Sequence, residues 1–515
     1  MKSLNRKKTG GTERGVALII ALLVLLLITA VGMGMILGSN TETNISANFR
    51  DEQTAYFAAK AGVEEVRDRL RAGATNSLNM TTTLGTALPG AASGILYVIN
   101  PLGTETVAPW LLAGSNYPDS QLVKELNCTS TAPTGTWWVP TAPTASTSYA
   151  ASPILQWKWV RVMAKINKSD TGCTSITSVD GTTNGNRVCW TGSHEVTTTL
   201  TSCNALNANY MPVYELTALA VTSSGSRRMM QYEVAQNAFP TIPGAFVFDG
   251  SQPSFNPPNS ASFTVSGADT NVHPGNAING VTCPVPVNEP ALGSFDNPAV
   301  STLTSAVQGP PNRSNQYASL APYATAPAVS NMYSVLSSGS VDLTTVDGLT
   351  TFVNMMTTAA GPNVYPNGTV PTNLGTSSNP VVNIVNGDVS IGGSGAVVLL
   401  VTSTLTLHGD FSWNGLILAI GEGAIVKDGG GNATLNGSMF AANLTTGNPG
   451  TGGPSAYPAT GYGTPIALGA NNPPGKPFFG WNGGGNATVQ YDSCWNQVVN
   501  QSLPYHIVTQ RELSY

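Results

Sequence analysis

Charge is what this sequence has least of. Asp, Glu, Lys and Arg make up 10% of its 515 residues, and the formal net charge is -5. With no basic excess, the chain lacks the electrostatic footprint of a nucleic-acid binder, so no nucleic acid is expected as a partner. Histidine is scarcer still, and His194, His273, His408 and His506 stand apart. His194-Glu195 opens an H-E-x-x pattern, but Thr198 occupies the place of the second zinc-binding histidine. No Gly-rich run is followed by Lys-Ser or Lys-Thr, so there is no Walker loop. The run Gly392 to Gly395 lacks the last glycine of a nucleophile elbow, because Ala396 stands there. The few carboxylates sit mostly in turns, which leaves a glycosidase site unsupported. These absences predict a protein that is not an enzyme and needs neither metal nor cofactor.

Paired cysteines are also missing. Cys128, Cys173, Cys189, Cys203, Cys283 and Cys494 are spread singly, with no C-x-x-C. In an exported chain such spacing reads as disulfides rather than a zinc site. What is abundant is Gly and Pro, 55 and 35 residues, a balance that favours turn-rich β structure over helical bundles.

A single stretch is apolar enough to cross a bilayer. Val16 to Leu37 would make a helix of roughly 33 Å, and no charged residue occurs from Gly15 to Thr41. Lys2, Arg6, Lys7, Lys8 and Arg14 precede it, and Glu42, Arg50, Asp51 and Glu52 follow. The positive-inside rule then keeps the leader cytoplasmic and exports the rest, giving a single-pass inner-membrane protein with its bulk in the periplasm. A signal peptide would show a small-x-small cleavage site, and none follows the run. The helix also continues: Phe49, Tyr56, Ala59, Val63, Val66 and Leu70 recur at spacings of three, four and seven, with Glu52 interrupting, until Gly73 supplies a stop.

A basic leader ending in glycine, an apolar helix and an amphipathic continuation make the layout of a type IV pilin. RGVALIIALLVLLLITAVGMGM followed by NISANFRDEQTAYFAAKAGVEEVRDRL resembles, over Glu13 to Leu70, the amino terminus of PilX-type minor pilins and pilus assembly proteins. The resemblance implies a prepilin peptidase that cuts after Gly15 and leaves Val16 as the new amino terminus. It also implies that Val16, Ile20, Leu37, Phe49 and Tyr56 lie along a membrane or filament helix. The implied partners are other pilins and minor pilins, the peptidase and the inner-membrane assembly machinery.

One position departs from the pattern. Major pilins carry a glutamate one turn into the mature helix, where this chain has Ile20. In the family that carboxylate neutralises the free amine of the neighbouring subunit, and an isolated charge at bilayer depth costs about 2.5–3.5 kcal/mol on insertion scales. A subunit with Ile20 offers no such partner. The reading is therefore of a subunit that primes or caps a filament at its tip, much as the K-type minor pseudopilin of type II secretion is thought to do. That pseudopilin is the alternative within the class, and a membrane-anchored surface hydrolase is the alternative outside it.

The fold expected is α+β and mostly β. It comprises a leader (1–15), a transmembrane and amphipathic helix (16–72), a pilin-like β-rich head (73–240) and a β-solenoid-like domain (241–515) with an insertion at about 290–375. In the head, Ile154 to Ile166 alternates in its middle, and Tyr214 to Thr222 with Arg228 to Val234 reads as a hairpin about Ser223-Ser224-Gly225-Ser226. Val63, Val66 and Leu70 would be the helix face that the head buries. In the solenoid, apolar runs at Ala396 to Val401, Leu416 to Ile420 and Ser438 to Ala442 recur about one coil apart. Asn386-Gly387, Asn414-Gly415, Asp428-Gly429 and Asn436-Gly437 read as its turns. GGGNATL at Gly429 to Leu435 recurs as GGGNATV at Gly483 to Val489, and Ser260 to Asn271 would form a first rung. A parallel β-helix fits best, with a β-sandwich as the alternative. A β-helix of this kind resembles the carboxy-terminal domains attached to some PilX-type proteins.

For the cysteines, Cys173 with Cys189, Cys128 with Cys203, and Cys283 with Cys494 form the simplest of 15 connectivities. Asp180, Asn184 and Asn186 supply oxygens suited to calcium, but an Asx-rich turn accounts for them better. Adhesion is the expected use of the solenoid, toward a surface adhesin or carbohydrate. Trp413, Trp481 and Trp495 would make a sugar-stacking face or sit in the core.

Overall fold

The apolar run and the amphipathic stretch after it form one unbroken helix, Glu13–Arg69. It belongs to a computed structural model that describes residues 13–71, 77, 78, 80, 94–125, 138–141, 156–167, 186–258, 262–269, 277–447 and 463–513, apart from 103, 112, 113, 201, 207–209, 241, 279, 280, 340, 470 and 483. No proline falls within the helix, and Arg67 and Arg69 in the last turn complement its dipole. At 1.5 Å per residue it is about 85 Å long.

The far half of the helix docks on a sheet. Ala55, Ala59, Val63, Val66 and Leu70, at helical spacing, are buried, whereas Ile45 and Phe49 remain exposed, so docking starts at Ala55 and not at Ile45. The sheet runs in the order Trp138–Thr141, Ile95–Ile99, Trp157–Ala164, Met211–Val221, Arg227–Ala235, His506–Leu513. Met211–Val221 and Arg227–Ala235 are the expected hairpin, with Gly225 at φ +91° in the turn. Helix and sheet approach closely at Gly62, where a Cβ would lie 2.8 Å from Trp157 Cγ. Gly62→Val should therefore lower the stability of the head by about 1–3 kcal/mol, the cost of overpacking. Thermal unfolding followed by tryptophan fluorescence will read it, and an unchanged melting temperature would contradict the packing.

The sheet's other face holds a polar core. Arg161, fully buried, donates to Asp119 at 2.6 Å, to Glu125, and to Thr217 Oγ1 at 3.2 Å, while Tyr97 OH donates to Asp119 at 2.9 Å. This ties the short Ser120–Glu125 helix to the strands. Glu215 lies in the same layer, directly opposite Glu233. Burial and the nearby Glu125 push its carboxyl up to about 7 from the ordinary 4.5. The folded head thus keeps a proton that the unfolded chain has released, so this group's stabilisation is full below about pH 4.5 and is lost as pH rises through about 7. Glu215→Gln should leave melting at low pH nearly unchanged and raise it at pH above 7; identical melting of both proteins throughout would contradict this.

Between Phe246 and Gln490 the strands pair in parallel, apart from the small antiparallel pair Ala277–Ile278 with Val281–Thr282, and curl into a β-helix-like stack. One column of side chains shows the order: Asn383, Leu399, Ile417, Met439, Phe246, Leu292 and Val329 lie on successive strands. The expected coil spacing is present, with Val398, Leu416 and Ser438 in register. The two GGGNAT repeats stack as anticipated, Thr434 on Thr488, and Phe263–Ser266 follows on Ala487–Gln490. Inward residues such as Phe246, Phe255, Phe263, Trp413, Phe479 and Trp481 fill the interior. Outward residues of the same strands, including Val398, Leu400, Leu418 and Phe440, are also buried, against the Val346–Ala360 and Ser493–Ser502 helices. Cover on both faces explains why these strands are continuous apolar runs without alternation.

Several expectations change. Residues 290–375 are not simply an insertion, because Leu292–Ser294, Tyr317–Ala318 and Val329–Asn331 extend the stack beyond the first rung. The solenoid does not run to the carboxyl terminus: His506–Leu513 leaves it and pairs with Arg227–Ala235 of the head, so the chain crosses between the two bodies twice. The crossings are bonded to each other, Gln236 Nε2 to the Leu503 carbonyl and Asn500 Oδ1 to the Phe239 amide. Asn414-Gly415 and Asn436-Gly437 are corners inside continuous strands, where Asn436 donates to Asn414 at 3.0 Å.

The cysteine pairing is partly corrected. Cys283 and Cys494 are bonded, with Cα atoms 4.7 Å apart. Cys189, however, is bonded to Cys203 at a Cα separation of 5.7 Å, so neither Cys173 with Cys189 nor Cys128 with Cys203 can form. The reason is local: Glu195–Thr198 turns back antiparallel along Asn186–Trp190 and returns the chain over Cys189. Cys128, Cys173, Asp180 and Asn184 lie outside the described residues, as does the side chain of Asn186.

Candidate functional site

The amino-terminal half of the long helix is the feature that none of the described residues covers. Val16, Ile20, Leu37 and Phe49 each expose more than half of their surface. No residue of its most apolar window is buried among the described residues. An uncovered apolar helix in water is untenable, so this segment requires either lipid or other helices around it. Its few polar groups suit such surroundings: Thr29 Oγ1 donates to the Leu25 carbonyl at 2.9 Å and Thr41 Oγ1 to the Leu37 carbonyl at 2.8 Å, leaving neither hydroxyl proton unbonded. Gly15, where processing is expected, is within the helix, and a Cβ there would meet nothing within 4 Å.

Further along, Tyr56 is half-buried against the head core and marks where the free half gives way to the docked half. Ion pairs fix the transition. Glu52, which breaks the apolar stripe in sequence, pairs with Arg228 of the sheet at 2.8 Å, and Arg228 also reaches Glu512 of the last strand at 3.0 Å. The sequence missed this partner because Glu512 comes from the strand that returns from the solenoid. At the helix end, Arg67 pairs with Glu64 and donates to the Tyr505 carbonyl. Here the helix, the solenoid and the returning chain enclose a cleft of about 840 Å³, lined by Arg67, Arg71, Asn237, Asn363, Tyr505 and His506. Burial and the charge of Arg67 lower the pKa of His506.

Of the two places expected for the tryptophans, a sugar-stacking face or the core, they occupy the second. Trp413, Trp481 and Trp495 are all buried, the first two inside the solenoid and the third beneath its helical cover. What the solenoid does present is a column of hydroxyls on five adjacent strands: Ser394, Ser412, Thr434, Thr488 and Thr264. Ser394, Thr434 and Thr488 are exposed and the other two partly so. The repeated Asn-Ala-Thr was the visible signal for this column, although only two of its members carry it. Among the described residues no group of three His, Cys, Asp or Glu side chains is placed to hold a metal.

The long helix has a counterpart among known protein families. Residues 14–64 match the PilX N-terminal family. Neither a curated protein nor a solved structure matches the chain. Over those residues the chain is similar to the amino terminus of PilX-like, type IV pilus-related pilins. A single amino-terminal apolar helix is compatible with one membrane pass.

Proposed function

We propose that this protein is a minor pilin-like subunit that primes or caps a type IV pilus from its tip and displays the solenoid for attachment. The observation that carries this reading is the division of one continuous helix. Its first half is bare and apolar, its second half is locked to a head that supports the solenoid, and the PilX-like match over residues 14–64 runs through both. The first half inserts in the inner membrane and then packs among neighbouring pilin helices. Ile20 supplies no carboxylate for an incoming amine, which favours a terminal place over one within the shaft.

For attachment, the support is the hydroxyl column, uncharged along its length and backed by Phe411, Trp413, Leu435 and Val489 of the rigid interior. Such a face suits a neutral carbohydrate or an uncharged patch on a surface adhesin.

Ile20→Glu tests the terminal position. Immunogold labelling should shift from filament ends to positions along the shaft. Label that stays at the ends, or never enters filaments, would sink the tip reading.

A further inference from the structure

The hydroxyl column of the solenoid is the middle one of three. Ser394, Ser412, Thr434, Thr488 and Thr264 follow one another on adjacent parallel strands, so their step is the strand separation of about 4.7–4.9 Å and the column is about 19 Å long. Two residues further along the strands, Asn414, Asn436, Gln490 and Ser266 form a second column in the same register. Two residues back, a third runs through Asp410, Asn432 and Asn486. There Asp410 Oδ1 accepts from the Asn432 amide at 2.8 Å, and Asn432 Oδ1 accepts from the Asn486 amide at 3.2 Å. The other two columns are bonded along their length as well, Asn436 Nδ2 to Asn414 Oδ1 at 3.0 Å and Thr264 Oγ1 to Thr488 Oγ1 at 3.4 Å. Side-chain ladders of this kind keep a sheet flat.

Two features of the grid select a partner. Asp410, at its border, is the one ionisable side chain in the three columns, so a charged polymer finds no matching field of opposite sign. The face also lacks the apolar centre that a protein partner needs, because Phe411, Trp413, Leu435 and Val489 of the same strands belong to the interior. What fits is a ligand that repeats uncharged hydroxyls at the strand spacing. An extended β-1,4-linked hexopyranose chain does so, since each sugar advances it by nearly one strand separation.

Resting on the reading of the solenoid as the part displayed for attachment, we propose that this face binds a neutral, unbranched β-1,4-linked glycan laid across the strands, one sugar over each hydroxyl. A hydroxyl donates one hydrogen bond and accepts two, so the column can pair with sugar hydroxyls in either sense. A single sugar gains little, because its bonds replace bonds to water and the tryptophans of this domain are buried away from it. Linked sugars bind as one ligand, so each further contact is made without a further loss of overall freedom. Affinity therefore grows with chain length until the five strands are covered.

The test is calorimetric titration of the full chain, in micelles of a detergent without a sugar head group, with cello- and chito-oligosaccharides from disaccharide to hexasaccharide. In at least one series the pentasaccharide should bind about tenfold tighter than the disaccharide, or more, and the hexasaccharide should add little. Replacing Thr434 and Thr488 together by valine, at exposed positions, should remove that gain and leave the melting temperature unchanged. Maltopentaose, whose α-1,4 links coil it out of step with the strands, should not show the gain. The proposal fails if neither series binds, if affinity is independent of length, if maltopentaose binds as tightly as its β-linked counterparts, or if the valine variant binds unchanged. Adherence of cells carrying the two valines judges the attachment reading separately. Adherence that falls although no glycan binds would keep attachment and overturn the glycan; unchanged adherence beside length-dependent binding would do the reverse.

Discussion

Gly437→Ala should cost the solenoid at least about 3 kcal/mol, among the largest effects expected of a single methyl group here. Gly437 has φ +138°, a region that L residues avoid, and a Cβ on it would lie 1.9 Å from the Gly415 carbonyl oxygen. Gly415 is in the same position one layer away, with φ +125° and a would-be Cβ 2.0 Å from the Val397 carbonyl oxygen. The obstructing atoms are backbone in both cases, so no rotamer change relieves them. Only a widening of the stack would, and that breaks the ladder from Phe411 to Gly421 against Ala433 to Asn443. Gly430→Ala is the control: a Cβ there meets nothing within 4 Å and its φ is unstrained. Denaturant unfolding should separate the two variants by a clear shift in midpoint; equal midpoints would contradict the corner geometry.

Removing the Cys283–Cys494 bridge is the second large effect. The bridge spans 211 residues of sequence, and closing a loop of that length is worth about 5 kcal/mol in the chain-entropy model. It joins the region of the small Ala277–Ile278 and Val281–Thr282 hairpin to the Ser493–Ser502 helix, and so holds the helical cover to the strands. The Cys189–Cys203 bridge, with a separation of 14, is worth about 3 kcal/mol and concerns the head alone. Replacing both Cys283 and Cys494 by alanine should therefore lower the melting temperature further than replacing Cys189 and Cys203. The opposite ranking would show that the unfolded chain retains structure around the long loop.

Features whose cause is local were legible in the sequence. The long helix follows from a run without proline or charge, and Val63, Val66 and Leu70 are buried where their spacing places them. The Met211–Val221 hairpin and the stacking of the two GGGNAT segments are equally local, since turn residues and repeated strands mark them. What was hidden depends on spatial order differing from chain order. The strand Phe246–Asp249 comes first in the solenoid sequence yet lies mid-stack, between Ala433–Asn443 and Leu292–Ser294. Strand His506–Leu513 is polar and largely exposed, and only its pairing with Arg227–Ala235 shows that it completes the head. Of the two places open to the tryptophans, a stacking face or the core, burial selects the core. Beside Trp413 the Asn414-Gly415 pair is a tight corner inside a strand, and the ring belongs to the interior of the solenoid.

The functional site divides in the same way. The apolar run that begins at Val16 is visible in residue order alone, whereas the pairing of Glu52 with Arg228, and of Arg228 with Glu512, appears only once the last strand is placed in the head. The bare apolar helix thus remains the feature from which the assembly account proceeds.

The most direct measurement is mass spectrometry of this protein in filaments sheared from the cell. The account predicts a chain in that fraction whose amino terminus is Val16. A chain confined to the membrane fraction, still carrying the leader before Gly15, would contradict it.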